Sequence, residues 1–264
     1  MCLKGEPPLV LSNAYPGDLL PRPLVAMEKI AENQILDPID ALKRSKRGKA
    51  LKDLRYVTVA QFDKLRKGRG FEMEKIEAID PMVTEDIFHN TVDRLLGTTG
   101  EGGLYVEEET FPNASAYPYL SLYVWCKPNW RSKLLNLLVF VGKEGFGKRR
   151  SIGKGQFEVM PPDDVSRIFE LDKPNAFVSL SDFIPAKDDP TDGTFRTFTK
   201  YGKLGGEYAA SGQPFKRPLL MIAAGAVFKA EHVKPFYGKA LESVAKVDSH
   251  IIHPAFALAV PAKI

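Results

Sequence analysis

Apolar residues in this chain come in short runs, each closed off by glycine, proline or charge. Residues 9–11, 56–59, 120–125, 176–181, 194–199, 219–228 and 251–260 have the length and the aromatic or β-branched content of strands. Only residues 128–140 read clearly as a helix, with Pro128 near its start and Leu134, Leu135, Leu138 and Val139 along one face. A helical turn is predicted over 60–65, and short helices or turns over 23–31 and 236–244. Residues 88–110 read as a strand, a turn holding Gly97, Gly100, Gly102 and Gly103, and a returning strand. Strands outnumber helices, so the fold class is α+β.

With 44% apolar and 27% charged residues over 264 positions, the composition is that of a soluble globular protein. The longest apolar stretches, 134–141 and 219–228, are too short to cross a bilayer, and no charged n-region with an apolar h-region opens the chain. Cys2 and Cys126 cannot make a disulfide framework or a cysteine zinc site. A cytoplasmic protein without membrane contact is expected. Composition changes at Met160-Pro161-Pro162-Asp163-Asp164, which predicts two domains, 1–160 and 161–264.

The net charge of +4 conceals a strong partition. Residues 43–69 hold eleven Lys and Arg against Asp53 and Asp63, 11 − 2 = +9, and residues 143–154 hold five against Glu144, 5 − 1 = +4. Residues 156–264 hold 13 of each sign and sum to zero. Such clusters attract polyanions, and they also occur as solvated helix faces or basic loops. The partition suggests one polyanion-facing domain and one mainly protein-facing domain.

The chemistry concentrates in residues 145–157, where four glycines (Gly145, Gly147, Gly153, Gly155) alternate with Lys148, Arg149, Arg150, Ser151 and Lys154. Glycine lets backbone N–H groups converge and lets a phosphate come close. Arginine adds a two-pronged, charge-assisted grip. Phe146 and Phe157 flank the loop and suit either base stacking or packing beneath it. The spacing matches neither the Walker loop nor the dinucleotide fingerprint.

This run resembles the glycine-rich loop of the RAMP superfamily of CRISPR proteins. Further stretches narrow the resemblance to the type III-A (Csm) effector subunit that holds the crRNA 5′ handle. They are Ser12-Asn13-Ala14-Tyr15-Pro16 with Leu20-Pro21-Arg22-Pro23, and His89-Asn90-Thr91-Val92-Asp93-Arg94 leading to Gly103-Leu104-Tyr105. After them come Leu180-Ser181-Asp182-Phe183-Ile184-Pro185, and Ala224-Gly225-Ala226-Val227-Phe228 with a closing strand over 254–261. The resemblance implies two ferredoxin-like (RRM-related) domains, the first without its N-terminal β-α unit. It implies Gly145, Gly147, Lys148, Arg149, Arg150, Ser151 and Gly153 as handle contacts. His89, Asn90 and Arg94, on a hairpin over 89–108 that displaces a nucleotide, are implied RNA contacts. The implied partners are crRNA, the large polymerase-like Cas subunit and the backbone RAMP subunits, with target RNA nearby, in antiviral defence.

No catalytic residue, metal ligand or cofactor is expected. His89 is the best general-base candidate for the alternative, a metal-independent endoribonuclease that processes precursor crRNA. RNA contact or ordinary packing is the reading preferred for it, since no base–nucleophile pair accompanies it. His250 and His253, three apart on an expected strand, suit no shared metal. Asp163-Asp164 and Asp188-Asp189 read as loop or helix-start residues.

Overall fold

The structure, a computed structural model, describes residues 6–25, 54–69, 81–147 and 149–264. The expected basic tract up to residue 53, most of the expected helix at 23–31 and Lys148 lie outside the described residues. The strands are β1 (Leu9–Pro16), β2 (Leu19–Pro21), β3 (Tyr56–Thr58), β4 (Met82–Asp93), β5 (Thr98–Pro112), β6 (Leu120–Cys126) and β7 (Ala176–Ser179). They continue with β8 (Gly193–Thr194), β9 (Thr197–Lys200), β10 (Leu219–Ile222), β11 (Val227–Lys229), β12 (Phe236–Leu241) and β13 (His253–Ala262). The described α-helices are α1 (Val59–Arg66) and α2 (Arg131–Glu144), the latter entered through a 3-10 turn at Pro128–Trp130. The mixed α+β class with mostly strands matches the sequence reading. After Glu144 the described residues hold 3-10 turns and no α-helix.

The described residues fall into two compact units, one within Met1–Asn13, Leu20–Phe71 and Leu122–Ile264, the other within Ala14–Leu19 and Glu72–Ser121. The larger unit is built on an antiparallel sheet ordered β12-β13-β7-β11-β8. β13 is alanine-rich on alternate positions, and small residues at 257 and 259 leave room for rings on the neighbouring strands. Phe177 and Tyr237 fill that room, stacked with centroids 4.0 Å apart, and Phe183 and Phe228 complete the cluster. Aromatic pairs of this kind add about 0.5–1.5 kcal/mol each beyond their buried area. The smaller unit is dominated by the β4–β5 hairpin.

Several sequence expectations need correcting. Residues 236–241 form strand β12, not a helix or turn, because Tyr237 is drawn into the aromatic cluster and the segment pairs along β13 from Phe236↔Leu258 to Leu241↔His253. Tertiary packing outweighs local preference there. The expected strand over 219–228 breaks at Gly225, whose φ of +88° turns the chain and separates β10 from β11. The strand expected at 194–199 also divides, β8 pairing with β11 and β9 with β10.

Candidate nucleic-acid interface

Helix α2 stops where Gly145 takes φ +84°, its N–H still donating to the Val141 carbonyl at 2.8 Å. The chain then folds back on itself. The Phe146 N–H donates to Gly155 O at 2.8 Å and the Phe157 N–H to Gly142 O at 3.1 Å. Three glycines make this base possible. A Cβ would lie 2.4 Å from Phe157 O at Gly142, 2.6 Å from Lys154 O at Gly145, and 2.0 Å from Phe146 O at Gly155.

The tip of the loop is different. Gly147 (φ +115°) and Gly153 (φ +82°) would meet nothing within 4 Å, so these glycines serve backbone conformation and border open space. Between them a 3-10 turn, Arg150–Ile152, is closed by Gly153 N–H donating to Arg150 O at 3.0 Å, and Lys154 N–H donates to Arg149 O at 3.3 Å. Arg150 is exposed and Arg149 half-buried, while Ser151 lies in the turn. Phe146 is 76% exposed, whereas the Phe157 ring packs against Gly142. Phe157 nevertheless remains 43% exposed, so both rings present surface at the loop. A pinched base, an open tip and an exposed guanidinium are what a phosphate needs in order to approach backbone N–H groups.

The hairpin extends beyond the expected span, and its turn is Arg94–Gly97. The Asp93 carboxylate accepts from the N–H of Leu95 at 2.8 Å and of Leu96 at 3.2 Å, and Gly97 at φ +66° restarts the chain as β5. Gly100, Gly102 and Gly103 thus belong to β5, not to the turn. His89 faces Tyr105 across the ladder, their rings stacked at 5.3 Å, and its Nε2 lies 3.7 Å from the Glu107 carboxylate. His89, Glu107 and Glu109 offer ligand atoms within 4.8 Å of one another, half-buried on one strand face, a gathering that carboxylates often make without an ion. Asn90 Nδ2 donates to Thr99 Oγ1 at 3.4 Å beside a register shift, and Arg94 is exposed in the turn. The hairpin's most exposed apolar residues are Leu95 and Leu96 at its tip, at 96% and 73%. The sequence reading passed over them, although an apolar pair between Asp93-Arg94 and Gly97 is itself a signal of an exposed turn.

Several stretches carrying the resemblance meet in space, and they meet as structure. Asn13 N–H donates to Leu180 O at 2.9 Å, and Ser181 Oγ donates to Leu11 O at 2.8 Å. Asn13 Oδ1 accepts from Asp182 N–H at 3.3 Å, and Asp182 Oδ1 accepts from Ala224 N–H at 2.9 Å. Leu24 N–H donates to Gly225 O at 2.8 Å, and a Cβ on Gly225 would lie 2.6 Å from Arg22 O. Arg22 is half-buried here; burial, then the charge of Arg196, lower its affinity for a proton. These polar residues satisfy buried backbone at the junction of β1, β7 and the β10–β11 turn.

Crystal structures of a Csm1-Csm4 cassette in complex with pppApA and with cA4 superpose on the whole chain with TM-scores of 0.55 and 0.54, at 16% identity over 81% of the matched chain. The cassette in complex with AMPPNP superposes with a TM-score of 0.54 at 15% identity, with the same coverage. The fold is that of a Csm1-Csm4 cassette chain. No family model matches the sequence, and no curated protein matches it. At this identity the Csm1-Csm4 likeness concerns fold, and the side chains must be read from the present structure.

Other residues singled out in the sequence have structural duties. Arg66, part of the +9 tract, is buried and bound to Asp63, Glu170 O and Pro261 O. Lys67 also pairs with Asp63. Arg66, at 2% exposure, has no surface to offer a ligand, whereas Lys67 stays one-third exposed beside its ion pair. Asp164 accepts from Ser166 N–H at 2.9 Å, and Asp189 from Ala186 and Gly238 N–H at 2.8 and 2.7 Å, as loop carboxylates do. His253 begins β13 half-buried, while His250 precedes the strand and is exposed. No helix of the described residues is long and apolar enough to cross a membrane.

Proposed function

We propose that this protein is a non-catalytic RNA-binding subunit of a type III-A CRISPR effector complex, two ferredoxin-like domains that hold the 5′ handle of crRNA. It joins the large polymerase-like subunit to the filament of backbone RAMP subunits. The observation that carries this reading is the loop at 145–155, pinched by Gly142, Gly145 and Gly155 and left open at Gly147 and Gly153 beside Arg150. The shared fold with a Csm1-Csm4 cassette chain supports the assignment to such a complex. Phosphate contacts at the loop fix register, and base edges of the single-stranded handle supply specificity. Lys148, Arg149, Arg150 and Ser151 are the proposed loop contacts, with His89, Asn90 and Arg94 on the hairpin.

Binding of handle RNA by the wild type and by Arg149→Ala/Arg150→Ala, measured against salt, tests the reading. Each lost phosphate contact on a single strand lowers the slope of log K against log salt by about 0.7. Equal affinity and equal slope would remove the loop from the interface. The endoribonuclease alternative places His89 as base, yet its imidazole faces Glu107 and Glu109, and a scissile phosphate needs cations there. Site-specific cleavage of repeat RNA in EDTA, lost in His89→Ala, would restore that alternative.

A further inference from the structure

The neutral sum of residues 156–264 hides a second basic surface in the larger unit. Between residues 196 and 217 lie Arg196, Lys200, Lys203, Lys216 and Arg217 against Glu207 alone, 5 − 1 = +4. The chain folds this segment onto itself. Leu204 N–H donates to Pro214 O at 2.7 Å, Lys216 N–H to Gly202 O at 2.8 Å, and Leu219 faces Lys200 as β9 and β10 begin. On the other side Arg217 N–H donates to Val244 O at 2.7 Å, and Lys216 bridges to Ala245. Past the two-stranded β9–β10 ladder this ribbon is carried on by single bridges, Lys203↔Phe215 and Lys216↔Ala245, and Lys200, Lys203, Lys216 and Arg217 lie toward this end while Arg196 lies at the other.

Several details mark this end as built for an anion. A cleft of about 370 Å³ is lined by residues 212–218 and Lys246, so that Lys216, Arg217 and Lys246 all border it. The Lys216 stem lies over Gly202, where a Cβ would sit 3.2 Å from Lys216 Cδ. A Cβ at 202 would require the flexible lysine stem to give by a few tenths of an ångström. Among the described residues, no carboxylate lies within ion-pairing distance of Lys200, Lys203, Lys216, Arg217 or Lys246. His253 is half-buried beside these lysines, and its Nε2 has no hydrogen-bond partner among the described residues. Burial, then the charge of nearby Lys200, lowers the proton affinity of Lys216.

Aromatic surface accompanies the charge. Phe215 is 63% exposed and borders the cleft, with Lys203 Nζ 6.0 Å from its ring centroid, and Tyr201 in the same ribbon is 73% exposed. Cations that track a backbone, interleaved with exposed rings on which bases can stack, form the platform that single strands use. The ribbon also adjoins the glycine loop, since a Cβ on Gly205 would lie 3.8 Å from Arg150 Nη2.

We propose that the cleft bordered by Phe215, Lys216, Arg217 and Lys246 is a second contact for single-stranded RNA, with phosphates held by the lysines and arginine and a base on Phe215. This rests on the reading of the protein as an RNA-binding subunit. It assigns to the apparently neutral half of the chain a nucleic-acid role separate from the loop at 145–155.

The test measures binding of the full chain to oligouridylate, a single strand lacking handle sequence, over a range of salt. Lys216→Ala/Lys246→Ala is expected to weaken binding about tenfold at 0.1 M salt and to lower the salt slope by about 0.7 per phosphate lost. Phe215→Ala is expected to weaken binding with the slope unchanged, and Lys216→Arg/Lys246→Arg to restore it. Unchanged melting temperatures show that the variants fold. If the cleft variant binds as the wild type does while Arg149→Ala/Arg150→Ala loses affinity, the cleft proposal falls and the RNA reading stands. If only the cleft variant loses affinity, the cleft stands, and the loop assignment is decided by the same two variants on handle RNA. A wild type that binds no RNA overturns both. Displacement of the RNA by poly-glutamate at equal charge overturns the proposal in favour of an acidic protein surface.

Discussion

Arg66 holds Asp63 through two contacts, Nε to Oδ1 at 2.8 Å and Nη2 to Oδ1 at 2.6 Å, while its other N–H groups reach the carbonyls of Glu170 and Pro261. At 2% exposure this guanidinium ties α1 to the end of β13 and to the segment before β7. Arg66→Ala removes the donor from two carbonyls and leaves a void, so a loss of about 3 kcal/mol or more is expected in urea unfolding. RNA affinity per folded molecule should stay at the wild-type value. A stable variant with weakened RNA binding would return Arg66 to the basic surface.

The two kinds of glycine in the loop separate experimentally. Gly155→Ala puts a Cβ where Phe146 O already sits, at a φ of +78°, and should cost about 2 kcal/mol or more by opening the loop base. Gly153→Ala meets open space at φ +82° and should cost about 1 kcal/mol, the left-handed backbone penalty alone. Thermal unfolding ranks them, and equal losses would contradict the division between base and tip.

The sequence already showed most strands, both described helices and the hairpin, because apolar runs and their glycine or proline boundaries are local signals. Strand β12 was hidden, since Tyr237 is placed by its stack on Phe177 and by pairing with β13, which no local window contains. The loop was legible from its glycines and cations. Gly142, inside the helix, was not, because its close approach to Phe157 O depends on how the chain returns. Charge misled in both directions. Arg66 was counted as a surface cation and is buried on Asp63, whereas Lys200, Lys203, Lys216, Arg217 and Lys246 were averaged away against the thirteen acids of residues 156–264.

Leu95 and Leu96 are held out by the Asp93 turn with little apolar neighbour surface to lose. Leu95→Ser/Leu96→Ser should change stability by no more than about 0.5 kcal/mol. If this tip unstacks a nucleotide where handle meets guide, 2-aminopurine at that junction brightens on binding the wild type and stays quenched with the variant. Equal brightness in both would assign the unstacking elsewhere.

Two groups give stability a pH dependence in separate windows. Burial, then Lys216 and Lys200, push His253 from its ordinary value of 6.5 down to about 4. Between those values the unfolded chain binds more protons than the folded one, so stability rises with pH and is lost as pH falls below about 6.5. Burial alone would raise the Asp63 carboxyl, but hydrogen bonds from Lys67 and Arg66 outweigh it and hold it below its usual 3.8. Its contribution is present above that value and is lost as pH falls through the lower, folded one. The melting temperature should therefore decline first between about pH 6.5 and 4 and again at more acid pH. His253→Gln should flatten the first decline and leave the second, and an unchanged slope between pH 6.5 and 4 in that variant would show that another group carries it.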